Sequence, residues 1–118
     1  MSQKIKVTCE MEITLRVIGG KWKPLIIHYL QEEGPKRYNQ ILRFLERAPK
    51  KTLTSQLREL EEDGIVERKV YPTVPIQVEY SVTKQGETLY PILEMMCNWG
   101  SENEGDKYEV MNRQCYEE

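Results

Sequence analysis

Seven side chains able to hold or read DNA fall within nine consecutive positions: Lys50, Lys51, Thr52, Thr54, Ser55, Gln56 and Arg58. Amines and guanidinium groups neutralise phosphates, and Arg, Lys, Gln and hydroxyl side chains pair with base edges in the major groove. Interleaved with them, Leu53, Leu57 and Leu60 recur at helical spacing, which predicts one helix with a single apolar stripe. Lys51, Ser55 and Arg58 then lie on the far side, with Thr52 and Thr54 flanking them in the first turns. Gly64 is a natural stop. The charge order opposes the helix macrodipole. Lys50 and Lys51 sit at the N-terminus, while Glu59, Glu61, Glu62 and Asp63 crowd the C-terminal half. That arrangement costs about 0.3–1 kcal/mol per exposed charge. A phosphate at the N-terminus offsets the cost, because backbone N–H groups and lysines then act on the same anion.

The second set of reactive side chains is the cysteines, Cys9, Cys97 and Cys115. Their spacing fits no zinc motif and implies no disulfide framework. Cys97 falls on an apolar stripe and reads as a small core residue; Cys115 falls in a polar tail and is expected to be exposed and mobile. Cys9 is placed at the start of the first helix, where N–H groups lower a thiol's pKa, with Lys4 and Lys6 close in sequence and Glu10 and Glu12 opposing them. The single histidine, His28, sits among Ile26, Ile27, Tyr29 and Leu30 and reads as a packing residue or a surface polar contact. With no second histidine, no Gly-rich phosphate loop and no nucleophile elbow, the expectation is a protein that is not an enzyme and needs neither metal nor cofactor.

The elements that must position these residues follow from periodicity and breakers. Trp22 to Glu33 predicts a helix with Pro24 in its first turn and Leu25, Ile26, Tyr29 and Leu30 facing the core. Gly34-Pro35 ends it, Lys36-Arg37 suits a short strand, and Tyr38 to Glu46 predicts a second helix through Ile41, Leu42 and Leu45. The turn from Arg47 to Lys50 leads into the candidate recognition helix, an arrangement of the helix-turn-helix kind. Ile65 to Tyr71 and Gln77 to Val82 predict two strands around Pro72 to Pro75, the second half-buried, with Val78, Tyr80 and Val82 alternating with polar residues. That hairpin is a wing. The predicted fold class is therefore mainly α with a small β-hairpin wing: a winged helix-turn-helix with N- and C-terminal dimerisation helices. The last helix, about Lys84 to Glu102, carries Leu89, Ile92, Leu93, Met96 and Trp99 at spacings of three and four, with Cys97 widening the stripe. A small core covers only part of it. Packing against a twin, with Met11, Leu15 and Ile18 of the N-terminal helix, would bury the remainder. Pro91 is expected to bend it.

Several of these stretches together resemble the HxlR family of bacterial transcriptional regulators. They are Cys9 to Glu12, Ile18 to Lys23, Gly34 to Tyr38, Leu53 to Arg68, Val70 to Pro75, Val78 to Thr83 and Trp99-Gly100, in the family's order across roughly Cys9 to Gly100. The resemblance implies a MarR-like winged-helix fold, a homodimer, and sequence-specific binding to a palindromic operator in double-stranded DNA, with repression the commoner mode. Lys36 and Arg37 are further candidates for DNA contact besides the recognition helix. Ile76-Gln77 stands where the family often carries a basic residue after the wing-tip prolines. Several members use a cysteine at the position of Cys9 to sense oxidants or electrophiles such as quinones or aldehydes, while others keep it without a redox role. Two alternatives stay open: a small ligand at the dimer seam in place of a thiol switch, and a winged helix used for protein–protein contact.

Length and charge set limits. At 118 residues the chain has room for one domain, residues 1–118, with its core at about 9–100 and an acidic tail at 101–118. The formal net charge is only −2, but it is polarised. From Gly20 to Thr52 eight basic residues (Lys21, Lys23, Lys36, Arg37, Arg43, Arg47, Lys50, Lys51) face three acids; from Ser101 to Glu118 six acids face Lys107 and Arg113. No segment is apolar and long enough for a membrane span, and the start lacks a secretory h-region, so the expected location is the cytoplasm.

Overall fold

The leucine stripe between Lys50 and Glu62 organises the molecule. In the computed structural model, which describes residues 3–115, Leu53, Leu57 and Leu60 keep 0, 2 and 0% of their surface. They meet Ile26, Ile27 and Leu30, Ile41 and Leu45, and Ile65 and Val66 in one core. The elements that supply it are α1 (Glu10–Ile18), α2 (Lys23–Glu33), β1 (Lys36–Arg37), α3 (Tyr38–Leu45), α4 (Lys50–Glu62), β2 (Val66–Tyr71), β3 (Gln77–Val82), α5 (Lys84–Glu87) and α6 (Tyr90–Glu102). Helices α2, α3 and α4 form the tri-helical unit. The strands form an antiparallel sheet in the order β1-β3-β2, with Lys36 opposite Tyr80 and Arg68 opposite the same tyrosine. The β2–β3 hairpin is the wing. Because β3 is the central strand, all six of its residues are half-buried, and the expected alternation is blurred.

Turn chemistry fixes how the wing leaves α4. Gly64 has φ +74°, a left-handed conformation that glycine adopts without strain, and it closes α4. Thr83, at the far end of β3, donates its hydroxyl to the carbonyl of Gly64 at 2.6 Å and accepts from the N–H of Gly86 at 3.0 Å. The end of the recognition helix, the end of the wing and the start of α5 are thus tied through one side chain. Gly86 is buried against this knot, where a Cβ would collide with the Ile65 carbonyl and the Val82 side chain.

Five expectations change. The single helix predicted from Lys84 to Glu102 is two, because Thr83 caps a four-residue α5, and α6 starts afresh with Pro91 in its first turn, where a missing N–H is harmless. Leu25 is 45% exposed, since Ile26, Ile27 and Leu30 already fill the core face of α2. Ile18 and Leu93 are buried in the domain's own core, and Leu89 packs partly against it. Cys115 is neither exposed nor free: it is buried and linked to Cys97 of α6 as a disulfide, with Cα atoms 5.9 Å apart. The tail before it folds back. Asn112 donates to the Phe44 carbonyl at 2.9 Å, and Arg113 grips Glu104 at 2.8 and 3.0 Å. The last two acids of the predicted tail, Glu117 and Glu118, lie outside the described residues.

Candidate nucleic-acid interface

α4 presents its predicted outer face to solvent. Lys50, Lys51, Thr54, Ser55 and Arg58 are exposed, while Thr52 and Gln56 are half-buried at the margins of the leucine stripe. Lys51 and Arg58 make no hydrogen bond or ion pair with other described residues, so both cations are available to a ligand. Pro49 occupies the N-cap, and no side chain caps the helix. Its first-turn N–H groups therefore point into solvent beside two lysines, the combination that favours an anion.

Not every hydroxyl on this face is free to read bases. The Tyr38 hydroxyl donates to the Lys50 carbonyl at 2.9 Å and lies 3.1 Å from Thr54 Oγ1, which itself donates to the Lys50 carbonyl at 3.0 Å. Tyr38 opens α3, so this contact sets the angle between the two helices of the helix-turn-helix. Thr54 positions α4 as well as lining it. Sequence reasoning placed Tyr38 in a motif but gave it no role; an aromatic hydroxyl at the first position of the preceding helix was the available signal. Ser55 lies 3.4 Å from Glu59 Oε2 and is otherwise open.

Lys23 is the basic residue that charge counting misassigned. It is buried on α2, and its ammonium donates to Glu59 Oε1 on α4 at 2.7 Å. The hydrogen bond and charge of Lys23 hold the Glu59 carboxyl below the usual carboxylate range. This pair fastens the back of the recognition helix to α2 and removes Lys23 from any phosphate contact. It also accounts for one acid in the C-terminal half of α4.

The wing divides its charges between two faces. Lys36, Tyr80 and Arg68 form one rank across the sheet, and Arg37, Glu79 and Lys69 form the next. Lys36 is half-buried, with its amine 6.0 Å from the centre of the Tyr29 ring on α2, so it faces the body. Arg37 and Lys69 are exposed on the other face, with Lys69 5.2 Å from the Tyr71 ring. Arg68 and Lys69 carry no motif that marks them in the sequence, and at the wing tip Val74 and Ile76 are exposed and uncharged.

Away from α4, α1 exposes Met11, Ile13 and Leu15 along its own length, and α6 exposes Ile92, Met95, Met96 and Trp99, the last at 68%. Of the residues predicted for a dimer seam, Met11, Leu15, Ile92, Met96 and Trp99 are available, whereas Leu89 and Leu93 serve the core. Cys9 is the N-cap of α1, exposed and free, and its neighbour Thr8 donates its N–H to Glu12 at 2.9 Å. Among the described residues no helix is long and apolar enough to cross a membrane.

Comparison with known proteins gives consistent results. Residues 17–108 match the model of the HxlR-like helix-turn-helix family. An uncharacterised HTH-type transcriptional regulator of Halalkalibacterium halodurans is 52% identical over 93 residues, 79% of this chain and 82% of the relative. Among solved structures, the redox regulator HypR in its oxidised form superposes with a TM-score of 0.78 at 47% identity, covering 86% of this chain and all of that one (100%). The reduced form of the transcriptional regulator YodB from Bacillus subtilis gives 0.70 at 34% identity, covering 87% of this chain and 100% of that one.

Proposed function

The chain belongs to the HxlR-like helix-turn-helix family of DNA-binding transcriptional regulators, and from that premise we propose that it acts as a homodimeric repressor on a palindromic operator. It is no enzyme, and a regulator of transcription works where the chromosome lies, in the cytoplasm. The outer face of α4 carries this reading. Arg58 is the base-reading group, with Ser55 beside it, and Lys50 and Lys51 hold a phosphate against the uncapped N-terminus. Arg37 and the wing's Lys69, on the same exposed face of the sheet, serve the flanking backbone.

The exposed apolar side chains of α1 and α6 support the homodimer. On this reading they form one patch of the kind that monomers rarely leave uncovered. A two-fold axis through it sets two recognition helices about 34 Å apart, one turn of DNA. Cys9 stands beside this patch, so an adduct there, formed by an oxidant or small electrophile, perturbs the seam. The similarity to HypR, a redox regulator, supports a thiol switch at Cys9 here.

Footprinting on genomic fragments retained by the protein tests the DNA-reading face. Arg58→Ala should cost about 1–3 kcal/mol and relax sequence preference. Lys51→Ala should weaken all sequences alike and reduce the salt slope by about one. If both variants footprint like the parent, α4 does not read the groove as assigned.

A further inference from the structure

His28 is the chain's one histidine, and it is 7% exposed, enclosed between α2 and α6. Its Nε2 lies 2.5 Å from Glu94 Oε2 on α6 and 3.5 Å from Glu32 Oε1, one turn further along α2. One ligand atom from each of the three lies within 4.8 Å of the other two. The carboxylate side chains retain 34% (Glu94) and 30% (Glu32) of their surface, so the imidazole forms a closed floor and the mouth opens to water. The Tyr90 hydroxyl donates to Glu32 at 2.7 Å, and its ring stacks parallel to His28 with centroids 6.1 Å apart. That hydrogen bond, with burial, pushes the Tyr90 phenol up to about 12, so it stays a donor.

The charges in this cluster do not balance. A neutral imidazole has one N–H, so Nε2 can serve one carboxylate at a time, and no lysine or arginine pairs with Glu32 or Glu94 among the described residues. The donor set, one nitrogen and two carboxylate oxygens, suits a borderline divalent transition ion. The i, i+4 spacing of His28 and Glu32 places both ligands on one helix face, the arrangement by which a helix presents two ligands to one ion. Ligand distances of about 2.0–2.2 Å are reached by rotating the two part-exposed glutamates around a stationary imidazole. Tyr90 then acts as the group that orients Glu32 from behind. The cluster was invisible to sequence reading because Glu94 is 66 residues from His28.

We propose that His28, Glu32 and Glu94 form a site for a divalent transition ion, with Zn²⁺ preferred over Mn²⁺, water completing the coordination, and the ion fastening α2 to α6. The ion meets Nε2, so the imidazole is bound as its Nδ1–H tautomer.

Because there is only one histidine, NMR of its imidazole reports this site without ambiguity. Titrating the tag-free chain with Zn²⁺ should shift the His28 ring signals to saturation at one equivalent per chain, and Mg²⁺ should leave them unmoved. Co²⁺ at one equivalent should give visible d–d bands that Zn²⁺ abolishes. Glu94→Gln and Glu32→Gln should each lower the Zn²⁺ affinity read at His28 at least tenfold. If Glu94→Gln fails to fold, Glu32→Gln carries the comparison alone. Ring signals unmoved by excess Zn²⁺ would overturn the proposal and leave a hydrogen-bonded clasp. So would folded glutamine variants that bind as tightly as the parent.

Discussion

The Lys23–Glu59 pair makes a prediction that links stability to the DNA-reading face. Glu59→Gln removes the charge partner of a lysine whose side chain is 8% exposed, while Glu59 itself is 48% exposed. Leaving a fully buried charge unpaired costs about 3–5 kcal/mol, whereas an exposed pair is worth about 0.2–1. With one partner deep and the other half in water, the expected loss is about 1–2 kcal/mol, or roughly 4–8 °C in melting temperature for a chain of this size. Lys23→Met should remove the need for the carboxylate, so that Glu59→Gln becomes nearly neutral in its background. The pH dependence has a definite sign. The folded Glu59 pKa is lowered from about 4.5, so its stabilisation is present above that value and fades as pH falls through the lower folded one. Urea unfolding at pH 7 and pH 4, run on the parent, both single variants and the double, measures all of this. A Glu59→Gln loss below about 0.3 kcal/mol, or equal losses with and without Lys23, would refute the buried-anchor account.

Three further outcomes are expected. Met96→Glu places a charge in the proposed seam and should give monomers that lose operator binding; a variant still dimeric by light scattering moves the interface elsewhere. Leu93→Ala, in contrast, should cost about 2–5 kcal/mol of folding stability by calorimetry, because Leu93 belongs to the domain's own core. Cys9→Ser should bind operator normally yet ignore diamide or quinone in a gel-shift assay, and its release by either reagent would exclude Cys9 as the sensor.

What could be read from the sequence was what repeats locally. Leu53, Leu57 and Leu60 announce α4 because three leucines at helical spacing allow one geometry, and Gly64 and the wing prolines punctuate it. The solvent-facing side of α4 followed by subtraction from that stripe. Pairings between distant elements were not readable. Nothing in the neighbourhood of Lys23 says that Glu59 will meet it, so counting charges placed it on the wrong side. Periodicity likewise could not separate Leu93, which serves the core, from Met96, which faces outward, since both lie on one continuous apolar stripe. Cys115 looked mobile because its neighbours are polar; its burial comes from long-range contacts such as Asn112 with the Phe44 carbonyl. α5 was lost because its cap, Thr83, acts through Gly64 as well as Gly86.

The knot at Thr83 gives α6 the mechanics of a lever with a short root and a long arm. Thirteen residues make an arm of about 20 Å. Its root follows on the short α5, whose N-cap Thr83 at the end of the wing is tied to Gly64 just after α4. A tilt of about 10° would sweep the far end through about 3–4 Å, and in the proposed homodimer the two copies would add to about 7 Å, roughly two base-pair steps. In that proposed dimer a disturbance the size of a single side chain, whether at Cys9 or beside His28, would be geared up to a misfit that one face of a DNA helix cannot accommodate.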